Sequence, residues 1–181
     1  MSKKLLLIVF ATILLLVSCS QGGARIDMLN KDKDKEKTDA RLEQIIEAMN
    51  NRDREALRAV FSKQALADAE NLDDNMDYLF DFLSDEINSW EMAAGPAVTE
   101  TIDHGHNKKV SQAVYYINTE KQEYQLYFLE YTVDTDHPEN VGMFMLEVFK
   151  AGDRSGPVDW GSGTRSAGIY RPDEHDLPSS E

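Results

Sequence analysis

Apolar positions recur at two different periods along the chain, and the change of period divides it. From Leu42 to Leu83 they return at intervals of three and four: Leu42, Ile45, Ile46 and Met49; Ala56, Leu57, Val60 and Phe61; Ala65, Leu66 and Ala69; Met76, Leu79, Phe80 and Leu83. This is the spacing of short amphipathic helices, each with one stripe to bury. Thr38 or Asp39 can cap the first, Asn50-Asn51 ends it, Asp53 can cap the second and Asp73 the last, since their oxygens accept from free N–H groups in a first turn. Stripes this short need a shared surface to cover them.

From Ile87 onward the period moves towards two. Trp90, Met92, Ala94, Val98 and Ile102 mark a first extended region, with a bend expected at Gly95-Pro96 because proline cannot donate to a ladder. His104-Gly105-His106-Asn107 reads as a turn, 110–118 as a second strand, Glu120-Lys121-Gln122 as a turn and 124–133 as a third strand. In that third strand Tyr127, Leu129, Tyr131 and Val133 alternate with Leu126, Phe128, Glu130 and Thr132. Residues 134–140 make a longer turn. Residues 141–150, apolar on both faces, read as a central fourth strand. After Lys150 the chain is rich in Gly, Ser and Asp and reads as loop, Trp160-Gly161-Ser162-Gly163 included, except that Gly168-Ile169-Tyr170 can pair briefly. Helices succeeded by a meander imply an α+β fold, with the N-terminal helices packed on a curved antiparallel sheet of four strands or more.

The N-terminus has a pattern of its own. Lys3 and Lys4 precede an apolar run of thirteen residues from Leu5 to Val17, interrupted only by Thr12, and Leu16-Val17-Ser18 leads into Cys19. A spanning helix needs roughly 20 residues, so residues 1–18 read as an export signal. Leu16-Val17-Ser18-Cys19 resembles a bacterial lipobox. The resemblance implies cleavage before Cys19, a diacylglycerol on its sulfur, and a protein held on the extracytoplasmic face of the cell membrane. Cys19 is the sole cysteine, so no disulfide can staple the fold. Residues 19–37, with Lys31-Asp32-Lys33-Asp34-Lys35-Glu36-Lys37 alternating in sign, read as the lipidated cysteine and a flexible charged tether. Residues 38–172 form one α+β domain, and 173–181 have the composition of a disordered tail.

Charge narrows the partners. The chain of 181 residues carries a formal net charge of −14, which argues against nucleic acid, whose binders present basic patches. Between Gln64 and Asn107 there are eleven acids and no lysine or arginine. Asp77, Asp81 and Asp85 fall at i, i+4 and i+8 and form one stripe without a local countercharge, a candidate interaction surface or simply a solvated face. Asp73-Asp74-Asn75-Met76-Asp77 starts like a calcium loop but puts Tyr78 where glycine is required and Ser84 where glutamate is. His104 and His106 lack the further ligands a zinc site needs. The chain also lacks a nucleophile-elbow serine and a phosphate-loop context, and no cofactor or metal is expected.

The stretch Asp-Arg-Glu-Ala-Leu-Arg-Ala-Val-Phe-Ser at 53–62, the helix at 42–49, the four strands and Gly168-Ile169-Tyr170-Arg171-Pro172 together resemble two groups. One is the cone-shaped superfamily of nuclear transport factor and ketosteroid isomerase, with a cystatin-like α+β domain. The other is a set of small uncharacterised lipoproteins, mostly Gram-positive, assigned to it. The likeness covers residues 38–172 and implies a pocket between sheet and helices. Trp90, Tyr116, Glu130 and Tyr131 are the candidates to line it, with Glu130 as acid or base and Tyr116 or Tyr131 as hydrogen-bond donor. The expected function is a non-enzymatic binding or interaction module. The alternatives are a small isomerase- or lyase-like enzyme and a component of a transport or secretion assembly.

Overall fold

The computed structural model describes residues 20–153 and 166–170, with side chains from Asn30 on. The signal region, Cys19, the glycine-rich segment at 160–163, Arg171-Pro172 and the 173–181 tail lie outside the described residues. Residues 1–37 and 38–181 make up two compact units.

Helix α1 covers Ser20–Asn50. The tether was expected to be coil, yet 20–37 is helical and Thr38 and Asp39 are interior residues rather than caps. Sign alternation explains how this is possible. It places opposite charges at i, i+3 as well as like charges at i, i+4, and Lys, Glu and Ala are good helix formers. Among the described residues no helix is long and apolar enough to cross a membrane.

Three short helices come next: α2 Arg54–Ala59, α3 Lys63–Asp68 and α4 Leu72–Phe82. Asp53 caps α2 as expected, accepting from the Ala56 N–H at 3.0 Å, and Ser62 caps α3 through the Ala65 N–H at 3.0 Å. The last cap differs. Asn71, in the left-handed region at φ 51°, precedes α4, and Asp73 and Asp74 lie in its first turn, where carboxylates favour the positive helix end.

The sheet has five strands in sequence order: β1 Ser89–Asp103, β2 His106–Asn118, β3 Glu123–Asp134, β4 Gly142–Lys150 and β5 Gly168–Tyr170. The first four are antiparallel, but β5 pairs parallel to β4, so the sheet is mixed. Register shifts in β1 between Met92 and Ala97 put the expected bend around Gly95-Pro96. The β1–β2 turn is His104-Gly105, both at positive φ, the geometry that suits tightly twisted hairpins.

One face of the sheet carries Ala113, Tyr115, Ile117, Tyr124, Leu126, Phe128, Leu146 and Val148, packed with Leu42, Ile45, Met49, Leu57, Met76 and Leu79 from the helices. The opposite face holds a smaller buried cluster, Val114, Tyr127, Met145 and Phe149. Strand β4 is therefore buried on both faces, as its composition implied. Two contacts tie the helices to it. The Ser62 N–H donates to the Met143 carbonyl at 2.9 Å and the Met143 N–H to the Val60 carbonyl at 3.0 Å, with Phe61 bridging Met143. Asn50, at the end of α1, grips the backbone ahead of β1 by accepting from the Ile87 N–H (2.9 Å) and donating to the Ile87 carbonyl (3.1 Å).

Candidate functional site

Polar residues enter the apolar interface between α1 and the sheet along one line. Strand alternation puts Ser111, Ala113 and Tyr115 of β2 on the helix-facing side, together with Phe128 and Glu130 of β3. On α1, Thr38, Arg41, Leu42 and Ile45 share a face at helical spacing. Thr38 Oγ1 and Ser111 Oγ are 3.2 Å apart, both buried. The Tyr115 hydroxyl donates to Asp39 Oδ1 at 2.7 Å. Arg41 Nε donates to Glu130 Oε2 at 3.0 Å. The Glu130 side chain is 4% exposed and that of Arg41 25%. Burial above all, then the bond to Asp39 and the nearby carboxylates, holds the Tyr115 hydroxyl protonated far above the ordinary tyrosine range.

The four nominated pocket residues divide between the faces. Trp90 packs edge-on against Tyr115 at 5.6 Å between ring centroids, and Tyr115 stacks on Phe128 at 6.1 Å. Glu130 joins them on the inner side. Tyr116 points to the opposite face by alternation with Tyr115. Tyr131 meets Phe144 edge-on at 6.2 Å and carries the Lys108 ammonium 5.0 Å above its ring. The tyrosine near Glu130 is thus Tyr115. Its position between Ala113 and Ile117 on the buried period was the available signal. Arg41 lies one turn ahead of Ile45, which puts it near the buried face of α1, but its pairing with Glu130, 89 positions away, had no signal in the sequence.

Arg41 also reaches outward. Its Nη1 donates to Gln44 Oε1 at 2.8 Å, and the residue forms one end of a cleft of about 470 Å³ between α1 and α2. Gln44, Glu47, Ala48 and Asn51 line it from α1 and the turn; Asp53, Ala56, Ala59 and Val60 line it from the other side. That volume lies within the range of roughly 300–1,000 Å³ typical of small-ligand sites.

The acidic stripe is not bare. Arg54 contacts Asp77, Arg58 contacts Asp73, Arg52 Nη2 donates to Asp81 at 2.6 Å, and Lys121 Nζ donates to Asp85 at 2.6 Å. The hydrogen bond from Lys121, foremost, holds the Asp85 carboxyl below its ordinary value. No local countercharge was expected, and those that the fold supplies are distant in sequence. They come from the α1–α2 turn, α2 and the β2–β3 turn, all outside the acid-rich segment. Asp85 also lies beyond the end of α4. At the hairpin tips His104 contacts Asp103 and His106 contacts Asp136. Among the described residues no three His, Cys, Asp or Glu side chains converge to hold a metal.

These features define an α+β domain with helices on one face of a five-stranded, mostly antiparallel open sheet. Residues 44–151 match the model of the family described as a domain of unknown function, DUF5104, and the chain belongs to that family. The chain matches no curated protein.

Proposed function

We propose that this protein is an extracytoplasmic lipoprotein, held on the cell membrane by diacylglycerol on Cys19, whose domain is a non-enzymatic binding or interaction module of the nuclear-transport-factor-like type. One observation carries the module reading. Glu130, the acid nominated for proton transfer, is engaged by Arg41, and Tyr115 donates to Asp39 rather than standing as a free donor. An acid–base enzyme needs a carboxyl with its proton poised and a donor aimed at substrate. Here the interior polar groups bind one another, and the ligand-sized opening lies outside them, between α1 and α2.

The anchor is tested by feeding an alkyne-tagged fatty acid to bacteria that express the full chain. The wild type is expected to carry the label and sediment with membranes. Cys19→Ala is expected to lose the label and to be released or left unprocessed. Equal labelling of both overturns the anchor. The rival isomerase or lyase reading requires turnover that disappears in Glu130→Gln, and turnover of a carbonyl-compound panel by the wild type would overturn the module reading.

A further inference from the structure

The cleft between α1 and α2 has a chemistry that its lining residues specify, and the argument rests on the binding-module reading above. Its apolar lining is Ala48, Ala56, Ala59 and Val60, the first and last buried and the other two exposed. Elsewhere the helices fill their interfaces with Leu, Met and Phe; here small side chains leave a slot. Along α1 the slot extends from Arg41 to Asn51, about 15 Å at 1.5 Å per residue.

Charge decides what fits. Arg41 is held by Glu130 and Gln44. Arg52, Arg54 and Arg58, the cations nearest in sequence, are turned to Asp81, Asp77 and Asp73 of α4 or the residues near it, and none of them lines the cleft. Glu47 and Asp53 do line it, and among the described residues neither is in an ion pair. Asp53 uses Oδ1 to cap Ala56, and its Oδ2 is without a hydrogen bond. A cleft that sets three alanines and Val60 beside two carboxylates, two neutral amides and a spoken-for arginine disfavours an anion. It suits a short hydrocarbon stem that ends in a positive charge, since such stems lie along apolar surface while the head stays polar.

We infer that this cleft binds an alkylammonium group, its methylene stem on Ala48, Ala56 and Ala59 and its ammonium at Glu47 and Asp53. The group could reach the cleft on a free polyamine or on the lysine of a partner protein. One set of titrations distinguishes these sources.

The test is calorimetric titration of the full chain in detergent with 1,5-diaminopentane and with a capped Ala-Lys-Ala peptide. Pentanol and pentanoate serve as uncharged and anionic controls. Both amines, or one of them, should bind while the controls do not. The tighter ligand identifies the source. Binding should weaken at least tenfold in Glu47→Gln/Asp53→Asn, in which asparagine still caps α2. It should weaken similarly in Ala59→Leu, which fills the slot from an exposed position without changing charge. Thermal melts of the variants matching wild type exclude unfolding as the cause. Equal amine affinity in all three proteins would place binding elsewhere on the acidic surface and overturn the inference. Absence of amine binding, or binding of pentanoate, would overturn it too while leaving the module reading intact. That reading fails only by wild-type turnover.

Discussion

Arg41 Nε donates to Glu130 Oε2 at 3.0 Å, joining α1 to β3 across 89 positions of sequence. The pair sits where the helix first meets the sheet, with Thr38–Ser111 and Asp39–Tyr115 beside it. Three polar contacts in one short stretch of α1 fix the rotation of that helix on the sheet, because a turn of about 100° would take these partners away from Ser111, Tyr115 and Glu130, which are buried.

Removing one member of the pair should therefore cost more than removing both. Arg41→Ala leaves a carboxylate that is nearly fully buried without its cation, a loss of about 2–4 kcal/mol given the partial exposure of Arg41. Glu130→Gln keeps a hydrogen-bond acceptor and should cost about half as much. Arg41→Met/Glu130→Leu should regain most of the loss. Urea unfolding of the four proteins checks the order; equal stability of Arg41→Ala and wild type would show the bridge to be idle.

Stability should fall at both extremes of pH, for separate reasons. Asp134 accepts from the Asn140 amide at 2.9 Å and the His137 N–H at 3.0 Å. The Asn140 bond, foremost, holds its carboxyl below the ordinary value. A lowered folded-state pKa gives stability that is present above about pH 4, the unfolded aspartate value, and is lost as pH falls through the folded one. Tyr115 is the reverse case. Its raised pKa gives stability that is full below about pH 10, the unfolded tyrosine value, and declines as pH rises from there. Melting curves from about pH 2 to about pH 11 should show a shallower acid limb in Asp134→Asn and a shallower alkaline limb in Tyr115→Phe.

The contacts of Arg52, Arg54 and Arg58 with Asp81, Asp77 and Asp73 lie at the surface, where a pair contributes little and salt screens it. Arg54→Gln should lower stability only slightly in dilute buffer, and by less still in about 1 M NaCl. Arg52→Gln should cost more, since Arg52 donates to the Phe80 carbonyl at 2.8 Å, a shorter bond than that of Arg54 to the Asp73 carbonyl at 3.4 Å, and also lies over the Phe80 ring. Denaturant midpoints at the two salt concentrations measure both effects.

Gly142 has φ +130°, and a Cβ there would come within 2.9 Å of the Ser62 backbone nitrogen. Gly142→Ala should destabilise by about 2–4 kcal/mol, from left-handed strain and a backbone that cannot yield. Gly168→Ala meets the Ala69 side chain instead, at 2.8 Å. Adding Ala69→Gly should recover part of that loss, whereas no side-chain change should rescue Gly142. Thermal melts of the three variants decide it.

Local sequence determined the order of elements, the turn at His104-Gly105, the Asp53 cap, the bend near Gly95-Pro96 and the burial of β4 on both faces, though not its place, which is fourth of five strands and beside the three-residue β5 rather than central. Each arises from a period or from a residue with one conformational habit, and such preferences act within a few positions. Glu130 was also legible as a residue of interest, because it interrupts an apolar strand. Its partner was not, since nothing near β3 points to Arg41. The same limit hid the arginines that meet the acidic stripe, whereas the choice of Tyr115 over Tyr116 was available locally from the alternation of β2. The parallel pairing of β5 depended equally on distant chain. The helical state of 20–37 is a different case, in which opposing i, i+3 and i, i+4 charge effects leave the local signal balanced. Tertiary structure decided the pairings because a polar group is satisfied by whichever partner the fold brings within about 3 Å, however far away it lies in the sequence.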